Sequence, residues 1–347
     1  HLYEHPSVLR LPRLGWAAVR GLSLLLAVLL IWGYAVQAAE KAPEKPVEYQ
    51  ATTHSIAATK KAQFELQAAL INAVPGDVIE LAAGKYDFTS ELNVVCDNVT
   101  LRGAGRDKTI INFKKQSAGS SGLLATGNAF VIEGLTIQDT VGSGIKVLGA
   151  QDVIFRDVKV EWTEGEKSTN GAYGIYPVEC KNVLIENCVS IGASDAGIYV
   201  GQSQDVIVRG CLATRNVTGI EIENTLRADV YDNVATDNTG GIMVFDLPGL
   251  NLVNGGYVRV YKNNVKDNNH ANFAPLGTVV ADVPPGTGVM ILAMDNVEVF
   301  DNDITGHLTN NIMILSYLIV ERKDLDKKFD PYPEIISIPT IASRAGE

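Results

Sequence analysis

The sequence NVLIENCVSIGASDAGIYV (182–200) is followed almost at once by DVIVRGCLATRNVTGIEIE (205–223), and the two stretches share one pattern. Four apolar positions recur 22 or 23 residues later: Val183 as Val206, Ile185 as Val208, Cys188 as Cys211, and Ile198 as Ile220. Each copy contains short runs in which every second residue is apolar, split by turn-forming residues, which leaves no room for a helix. Such a repeat predicts a solenoid, because one strand–turn unit buries its apolar side chains only by stacking on its neighbours.

The same unit continues in both directions along the chain. Its first segment recurs as FVIEGLTI (130–137), VIFRDVKV (153–160), ADVYDNVA (228–235), VRVYKNNV (258–265) and VEVFDNDI (297–304). Its second recurs as GIKV (144–147), GIYP (174–177), GIMV (241–244), GVMI (288–291) and NIMI (311–314). Alignment predicts one inward column: Leu135, Val158, Cys188, Cys211, Asn233, Asn263 and Asn302. We expect the stacked asparagines to hydrogen-bond from one coil to the next, which satisfies their buried amides.

These repeats resemble the right-handed parallel β-helix family, which is pectin-lyase-like and includes carbohydrate-binding and sugar-hydrolase repeats. The resemblance covers about residues 60–338. It implies an all-β fold, a right-handed parallel β-helix solenoid with an N-terminal capping helix. It leaves the activity open, because that family hosts many reactions. The chain has neither the Arg-rich catalytic pattern of pectate lyases nor the Asp-Pro-His-Asp motif of mannuronan epimerases.

The chain divides into five parts. Residues 1–39 combine three arginines, an apolar core and a small-residue site, which predicts a secretory signal peptide; an uncleaved membrane anchor is the alternative. Either one places the solenoid outside the cytoplasm, secreted or periplasmic. The rest is predicted as a linker (40–59), a capping helix (60–75) with Phe64, Ala68 and Ile71 on its apolar face, the β-helix (76–338), and an irregular end that resembles a truncation (339–347).

The net charge is −11, and residues 1–39 contribute +2 from Arg10, Arg13, Arg20 and Glu4, so the remainder carries −11 − 2 = −13. This acidity argues against nucleic acid as a partner, since like charges repel, and also against unassisted binding of a polyanionic polysaccharide. A membrane contact is expected only through the N-terminal segment.

The four cysteines are Cys96, Cys180, Cys188 and Cys211. Cys188 and Cys211 share a column on adjacent coils, a strand spacing of about 4.8 Å, which a disulfide can span. The alternative is that both thiols are small apolar residues that fill the core.

Four insertions interrupt the period and flank the second segment: 163–173, 246–255, 267–286 and 316–334. Because insertions in repeat proteins collect on one functional side, we expect them to wall a groove. The outward column of the second segment is Lys146, Tyr176, Tyr199, Glu221, Met243, Met290 and Met313. A column of glycines (Gly144, Gly174, Gly197, Gly219, Gly241 and Gly288) lies two residues earlier and predicts a shallow trough.

Residues in and beside this predicted trough suit sugar chemistry. The catalytic candidates are Tyr199, Glu221, Asp195 and Asp246, because glycoside hydrolysis needs two carboxyl groups and a lyase or epimerase needs a base and a donor. The substrate-binding candidates are Lys146, Tyr176, Glu223, His270 and His307. No metal is predicted with certainty, although Glu221 and Asp246 form a candidate pair for Ca²⁺ that would neutralise a uronate.

The sequence therefore predicts an extracytoplasmic protein that binds a polysaccharide and is a candidate lyase, epimerase or glycoside hydrolase. Two alternatives stay open. The first is a non-catalytic adhesion or scaffold solenoid. The second is a periplasmic copper-handling accessory protein, since Met243, Met290, Met294 and Met313 cluster on the last coils and the repeat resembles accessory proteins of nitrous-oxide reductase maturation. In the competing interpretation the methionines fill gaps beneath the insertions.

Overall fold

The computed structural model describes residues 50–320, 330, 331 and 333, so the predicted signal peptide or anchor and the predicted irregular end lie outside the described residues. Each full coil of the described chain contributes one strand to each of three parallel sheets. None of the helices in this part of the chain is long and apolar enough to cross a membrane.

Sheet 1 contains ten strands: β1 (Thr53–Ile56), β2 (Val78–Leu81), β5 (Thr100–Gly103), β8 (Val131–Glu133), β11 (Gln151–Arg156), β14 (Lys181–Glu186), β17 (Gln204–Arg209), β20 (Leu226–Tyr231), β23 (Gly256–Tyr261) and β26 (Asp295–Phe300). Sheet 2 contains nine short strands: β3 (Gly84–Asp87), β6 (Thr109–Asn112), β9 (Thr136–Gln138), β12 (Lys159–Glu161), β15 (Val189–Ile191), β18 (Leu212–Thr214), β21 (Val234–Thr236), β24 (Asn264–Lys266) and β27 (Asp303–Thr305). Sheet 3 contains nine: β4 (Ser90–Val94), β7 (Ala118–Ala125), β10 (Ser143–Leu148), β13 (Tyr173–Val178), β16 (Ala196–Gly201), β19 (Thr218–Glu223), β22 (Gly240–Phe245), β25 (Thr287–Leu292) and β28 (Asn310–Leu315).

Each coil has three strands where the sequence suggested two. The predicted first segment bends at one residue with a left-handed backbone: Asn187 (φ 56°) separates β14 from β15, and Asp157 (φ 51°) separates β11 from β12. Asparagine and aspartate tolerate this conformation better than most residues. The alternation of buried residues shifts by one position at the bend, since Val183 and Ile185 are followed by Cys188 and Ser190.

The interior is a stack of aligned side chains. Ile175, Ile198, Ile220 and Ile242 are in register on successive strands of sheet 3 and are fully buried. All four cysteines are free, so Cys188 and Cys211 fill the core as small apolar residues and form no disulfide. The contact between them is a hydrogen bond from the Cys188 backbone N–H to the Cys211 Sγ (3.4 Å).

The predicted asparagine column forms a ladder. Asn233 Nδ2 donates to Asn263 Oδ1 (3.0 Å), and Asn263 Nδ2 donates to Asn302 Oδ1 (2.9 Å). A second ladder, which the sequence alignment missed, joins Asn216 to Asn238 (3.0 Å) and Asn238 to Asn268 (2.8 Å). These amides satisfy one another and the backbone groups of the corners between the sheets.

The capping helix α1 spans Ala62–Asn72, but the predicted apolar face was wrong. Phe64 and Ile71 are 77% and 66% exposed, whereas Ala62, Leu66 and Leu70 pack onto the first coil. Both sets follow helical spacing, so only the docking of the helix decides between them. Upstream, strand β1 pairs with β2 in a stretch that was expected to be a linker.

Candidate functional site

The outward residues of sheet 3 line up as the repeats predict. Lys146 pairs with Tyr176, Tyr199 with Glu221, and Glu221 with Met243. The stack continues through Met290 and Met313. The alignment therefore brings residues that are far apart in sequence onto one surface.

The predicted trough of glycines is wrong. A Cβ on Gly174 would lie 2.2 Å from Ser190 Oγ, and one on Gly241 would lie 2.5 Å from Val265 Cγ1 and 2.6 Å from the Gly288 carbonyl oxygen. These atoms belong to the interior and to the next coil, so the missing side chains allow close packing at a corner. The glycines are buried and do not form the floor of a groove.

Insertions cover the later coils of this surface. Met243 and Met290 are buried in an apolar cluster with Phe245, Val280 and Val283, the last two from the insertion at 267–286. This arrangement matches the gap-filling interpretation of these two methionines. The copper interpretation stays an untested prediction.

The middle coils contain a group that we call the carboxyl–tyrosine cluster: Tyr173, Tyr176, Asp195, Tyr199, Glu221 and Glu223. Tyr199 Oη donates to Glu223 Oε1 (2.7 Å), and Thr218 Oγ1 donates to Glu221 Oε2 (3.0 Å). Tyr173 lies close enough to Asp195, and Glu221 close enough to Glu223, to affect the pKa of these carboxyl groups. The three carboxyl groups are nearly buried, with 2% of Glu221 and 8% of each of the other two exposed.

The three tyrosine rings form the other half of the cluster. The Tyr173 ring lies 4.5 Å from that of Tyr176 and 4.4 Å from that of Tyr199, between centroids. Tyr176 and Tyr199 meet edge to face at 5.1 Å, and Lys146 Nζ lies 5.0 Å from the Tyr176 centroid. The rings exclude water from the carboxyl groups, and their hydroxyls supply donors.

Local sequence explains how Tyr199 reaches Glu223. A Cβ on Gly201 would lie 2.3 Å from Tyr199 Oη and 2.4 Å from its ring, so the ring lies flat over the bare glycine backbone. Gly201 is in register with Glu223 on the next strand, which brings the phenol to that carboxyl. A side chain at position 201 would block this path.

Burial controls the acidity of the cluster. Burial, with the charge of Glu223 second, raises the pKa of Asp195 to about 7, while the hydrogen bond from Tyr173 opposes that rise. Burial and the charges of Asp195 and Glu223 raise the pKa of Glu221 well above its ordinary value. Burial also raises the pKa of Glu223, against hydrogen bonds from Tyr199 and Glu221 that favour its charged form. Glu221 is therefore the carboxyl that retains its proton and can donate a hydrogen bond within the cluster, and Glu223 is the carboxyl best prepared to carry the charge.

Three predicted site residues lie in other surroundings. Asp246 accepts from the backbone N–H groups of Asn254 (2.9 Å) and Gly255 (3.2 Å) and so holds its own insertion in place, although burial raises its pKa to about 7. His270 packs edge-on against Phe273, with 5.7 Å between centroids. His307 ends the second asparagine ladder: its Nε2 contacts Asn268 Nδ2 (3.1 Å), which places the ring on the interior side.

The Ca²⁺ hypothesis for Glu221 and Asp246 gains no support from their contacts. The oxygens of Asp246 are taken by backbone donors, whereas Glu221 is bound to Thr218 and Glu223. In the described ranges, no group of three or more His, Cys, Asp or Glu side chains is placed to hold a metal ion.

A cleft of about 640 Å³ begins beside the cluster. It is lined by Phe245, which is in register with Glu223, and continues past Met290 and Met313 to Asp282 and Leu315. The cleft therefore runs along sheet 3 next to the cluster, although no residue of the cluster lines it, and it has apolar walls and a single acidic side chain.

Residues 98–254 match the family model described as a right handed beta helix region. This match and the three parallel sheets confirm the resemblance drawn from the repeats. The chain is a right-handed parallel β-helix protein with a pectin-lyase-like fold.

Known proteins with this fold include carbohydrate-active ones. Pectate lyase L of Paenibacillus polymyxa (strain SC2) is 29% identical over 208 residues, which cover 52% of this chain and 43% of that protein, so the match spans less than half of the relative's length. The A-module of a mannuronan C-5 epimerase of Azotobacter vinelandii superposes with a TM-score of 0.54 and 17% identity, covering 75% of this chain and 79% of that one. Pectate lyase Pel9A gives a TM-score of 0.52 and 14% identity, with coverage of 78% and 75%. At these identities the two structures indicate the fold alone.

Proposed function

We propose that this protein binds an extracytoplasmic polysaccharide along sheet 3 and hydrolyses it at the carboxyl–tyrosine cluster. The observation that carries the proposal is the meeting of three nearly buried carboxyl groups from two neighbouring coils, each in a different hydrogen-bonding environment. Glycoside hydrolysis uses one carboxyl group as an acid and a second as a carboxylate.

Asp195 is assigned as the general acid. Its pKa of about 7 keeps much of it protonated near neutral pH, the range in which proton transfer by a side chain is most effective. Its Oδ1 is buried and makes no hydrogen bond, so a glycosidic oxygen that reached it would displace no existing partner. Tyr173 favours the ionised form of the same carboxyl group and so limits the rise of its pKa.

Glu223 is assigned as the carboxylate partner, and Glu221 and Tyr199 are positioning residues. Tyr199 Oη donates to Glu223 Oε1, and protonated Glu221 donates to the same group. An oxocarbenium-like transition state carries positive charge and needs a negative charge opposite it. The two donors stabilise that negative charge on Glu223. Separate environments thus give carboxyl groups of one cluster separate tasks.

Charge favours hydrolysis of a neutral polysaccharide over elimination or epimerisation of a uronate. A lyase or epimerase must neutralise the carboxylate of its substrate. The cluster instead offers three carboxyl groups and one nearby ammonium, that of Lys146. A polyanion would meet like charge here, and a neutral sugar would not.

The relatives support polysaccharide as the class of substrate, since a pectate lyase and an alginate-type epimerase share the fold. The predicted signal segment at 1–39 supports an extracellular or periplasmic location. The proposal departs from both relatives in the reaction and in the charge of the substrate.

The test is a reducing-end assay on a panel of neutral and uronate polysaccharides, with parallel detection of unsaturated products. We expect reducing ends from a neutral glycan without unsaturation, and a loss of about 10²–10⁴-fold in kcat for Asp195→Asn and for Glu223→Gln. Asp303→Asn, at an exposed ion pair with Lys266 on sheet 2, is the matched control and should keep full activity.

Unsaturated products from a uronate would refute the hydrolytic assignment. Binding of a neutral glycan with no turnover would favour the scaffold alternative. This alternative is the strongest competitor, because only 2% of Glu221 is exposed to a substrate. Equal loss of activity in all three variants would point to misfolding, and circular dichroism of each variant separates that case.

A further inference from the structure

A second cleft, of about 650 Å³, lies on the outward face of sheet 1, across strands β14, β17, β20, β23 and β26. The residues that matter for its chemistry are Asp205, Arg227, Asp229, Tyr257, Arg259 and Asn296. None of them belongs to the carboxyl–tyrosine cluster, which lies on sheet 3.

Tyr257 is the unusual residue of this cleft. It begins the outward face of β23 with a left-handed backbone (φ 59°), and its side chain is 60% exposed. The same corner on other coils holds Asp152, Asn182, Asp205 and Asn296, residue types that tolerate this conformation, and Arg227 (φ 62°) on the neighbouring strand β20. A bulky aromatic residue there is strained, and such strain persists where the side chain serves another purpose.

Two rigid ion pairs form the wall beside Tyr257. Arg227 binds Asp205 through both Nε–Oδ1 (2.6 Å) and Nη2–Oδ2 (3.0 Å), and Arg259 binds Asp229 in the same way at 2.6 Å for each contact. These fork-shaped pairs are held in a fixed geometry but stay partly exposed, with 49% and 51% of the arginine side chains accessible. The polar groups at the edges of each ion pair are already held in place, so a ligand can bind them without first ordering the side chains.

The charges of the cleft nearly cancel. Three acidic side chains, Asp205, Asp229 and Glu298, oppose Arg227 and Arg259, which leaves a net charge of −1, and each arginine is already paired. A polyanion would therefore find no free cation here, and a cation would find little excess negative charge. A neutral ligand with many hydroxyl groups fits this lining, because hydroxyls both donate and accept.

We propose that this cleft is a second carbohydrate-binding site, which takes a neutral oligosaccharide with one sugar ring stacked on Tyr257. The hydroxyls of the sugar bind the edges of the Arg227–Asp205 and Arg259–Asp229 pairs. An exposed tyrosine gives a large flat contact at a small entropic cost, and pre-formed ion pairs keep the polar groups oriented. The site holds the polysaccharide on a different sheet from the one that acts on it.

The experiment is a calorimetric titration of the full chain with neutral hexasaccharides of glucose, mannose and xylose, and with a hexagalacturonate for comparison. Tyr257→Asn is the informative variant, because asparagine relaxes the backbone strain while it removes the ring. We expect at least a tenfold loss of affinity for the neutral hexasaccharide at one site, together with an unchanged or higher Tm. Leu308→Ala, which truncates another exposed side chain, is the control and should change neither quantity.

Stoichiometry separates this site from the carboxyl–tyrosine cluster. If both sites bind, Tyr257→Asn lowers the number of bound oligosaccharides from two to one. If only the sheet 1 cleft binds, the substitution lowers this number from one to none. The second result would refute the proposed hydrolytic site and leave the sheet 1 site standing. The inference is overturned if no neutral hexasaccharide binds, if Tyr257→Asn binds as the unaltered chain does, or if hexagalacturonate binds more tightly. A clear fall in the Tm of Tyr257→Asn would also overturn it, since the ring would then be needed for packing.

Discussion

Replacing Asp195 with asparagine should stabilise the protein at alkaline pH while it abolishes catalysis. The folded protein raises the pKa of Asp195 from 3.8 to about 7, chiefly through burial. A carboxyl group with a raised pKa binds its proton more tightly in the folded state, so its contribution to stability falls as the pH rises from about 4 to about 7. A shift of about three pKa units corresponds to a cost on the order of 4 kcal/mol above pH 7. Asparagine has no charge to bury and avoids this cost.

The assay is the thermal unfolding midpoint between pH 4 and pH 9, at one scan rate, for the unaltered chain, Asp195→Asn and Asp205→Asn. We expect Asp195→Asn to match the unaltered chain near pH 4 and to exceed it increasingly up to about pH 8. The hydrogen bond and charge of Arg227 lower the pKa of Asp205, so that pair stabilises the fold above the unfolded pKa of about 4 and is lost as the pH falls further. Asp205→Asn should therefore gain nothing at alkaline pH. Parallel curves for Asp195→Asn and the unaltered chain would refute the reasoning that burial raises this pKa.

Two further substitutions test the packing that supports the site. Asn238→Ala removes the acceptor of a fully buried backbone N–H and breaks the second asparagine ladder. It should lower the free energy of unfolding, measured in urea, by about 2–4 kcal/mol. Asn302→Ala, at a half-buried ladder end that water reaches, should lower it less. Gly201→Ala should displace the Tyr199 ring from Glu223 and lower kcat with little change in stability; a structure of this variant with the Tyr199–Glu223 bond intact would contradict that account.

The coil could be predicted from the sequence because its register obeys one local rule. Period-2 alternation and the repeat of 22 or 23 residues fix which side chains are neighbours between coils, so Tyr199 and Glu221 fall side by side as expected. The ladder of Asn233, Asn263 and Asn302 follows from the same rule, because an inward amide column has partners only above and below it. These features need no knowledge of distant packing.

Features that depend on packing between segments could not be obtained in this way. The capping helix buries Leu66 and Leu70 in place of Phe64 and Ile71, because both faces have helical spacing and the first coil selects one. His307 looked like a surface residue of a connection, yet the ladder inside the coil ends on its imidazole. Alternation also fails at the corners, and there the direction of a side chain depends on the bend.

Tyr173 shows how such a corner hides a functional residue. The sequence pattern places it at the end of the insertion 163–173, yet it begins β13 in register with Ala196. A strand residue three positions from Tyr176 is expected on the opposite face. The bend turns it onto the same surface, where it contacts both other rings and Asp195. Because its hydrogen bond favours the ionised form of Asp195, Tyr173→Phe should raise the pKa of that acid and move the alkaline limb of the kcat–pH profile to higher pH. Tyr231→Phe, in the aromatic stack on sheet 1, is the control that should leave the profile in place. An alkaline limb that does not move in Tyr173→Phe would show that Asp195 is not the acid whose ionisation limits the reaction.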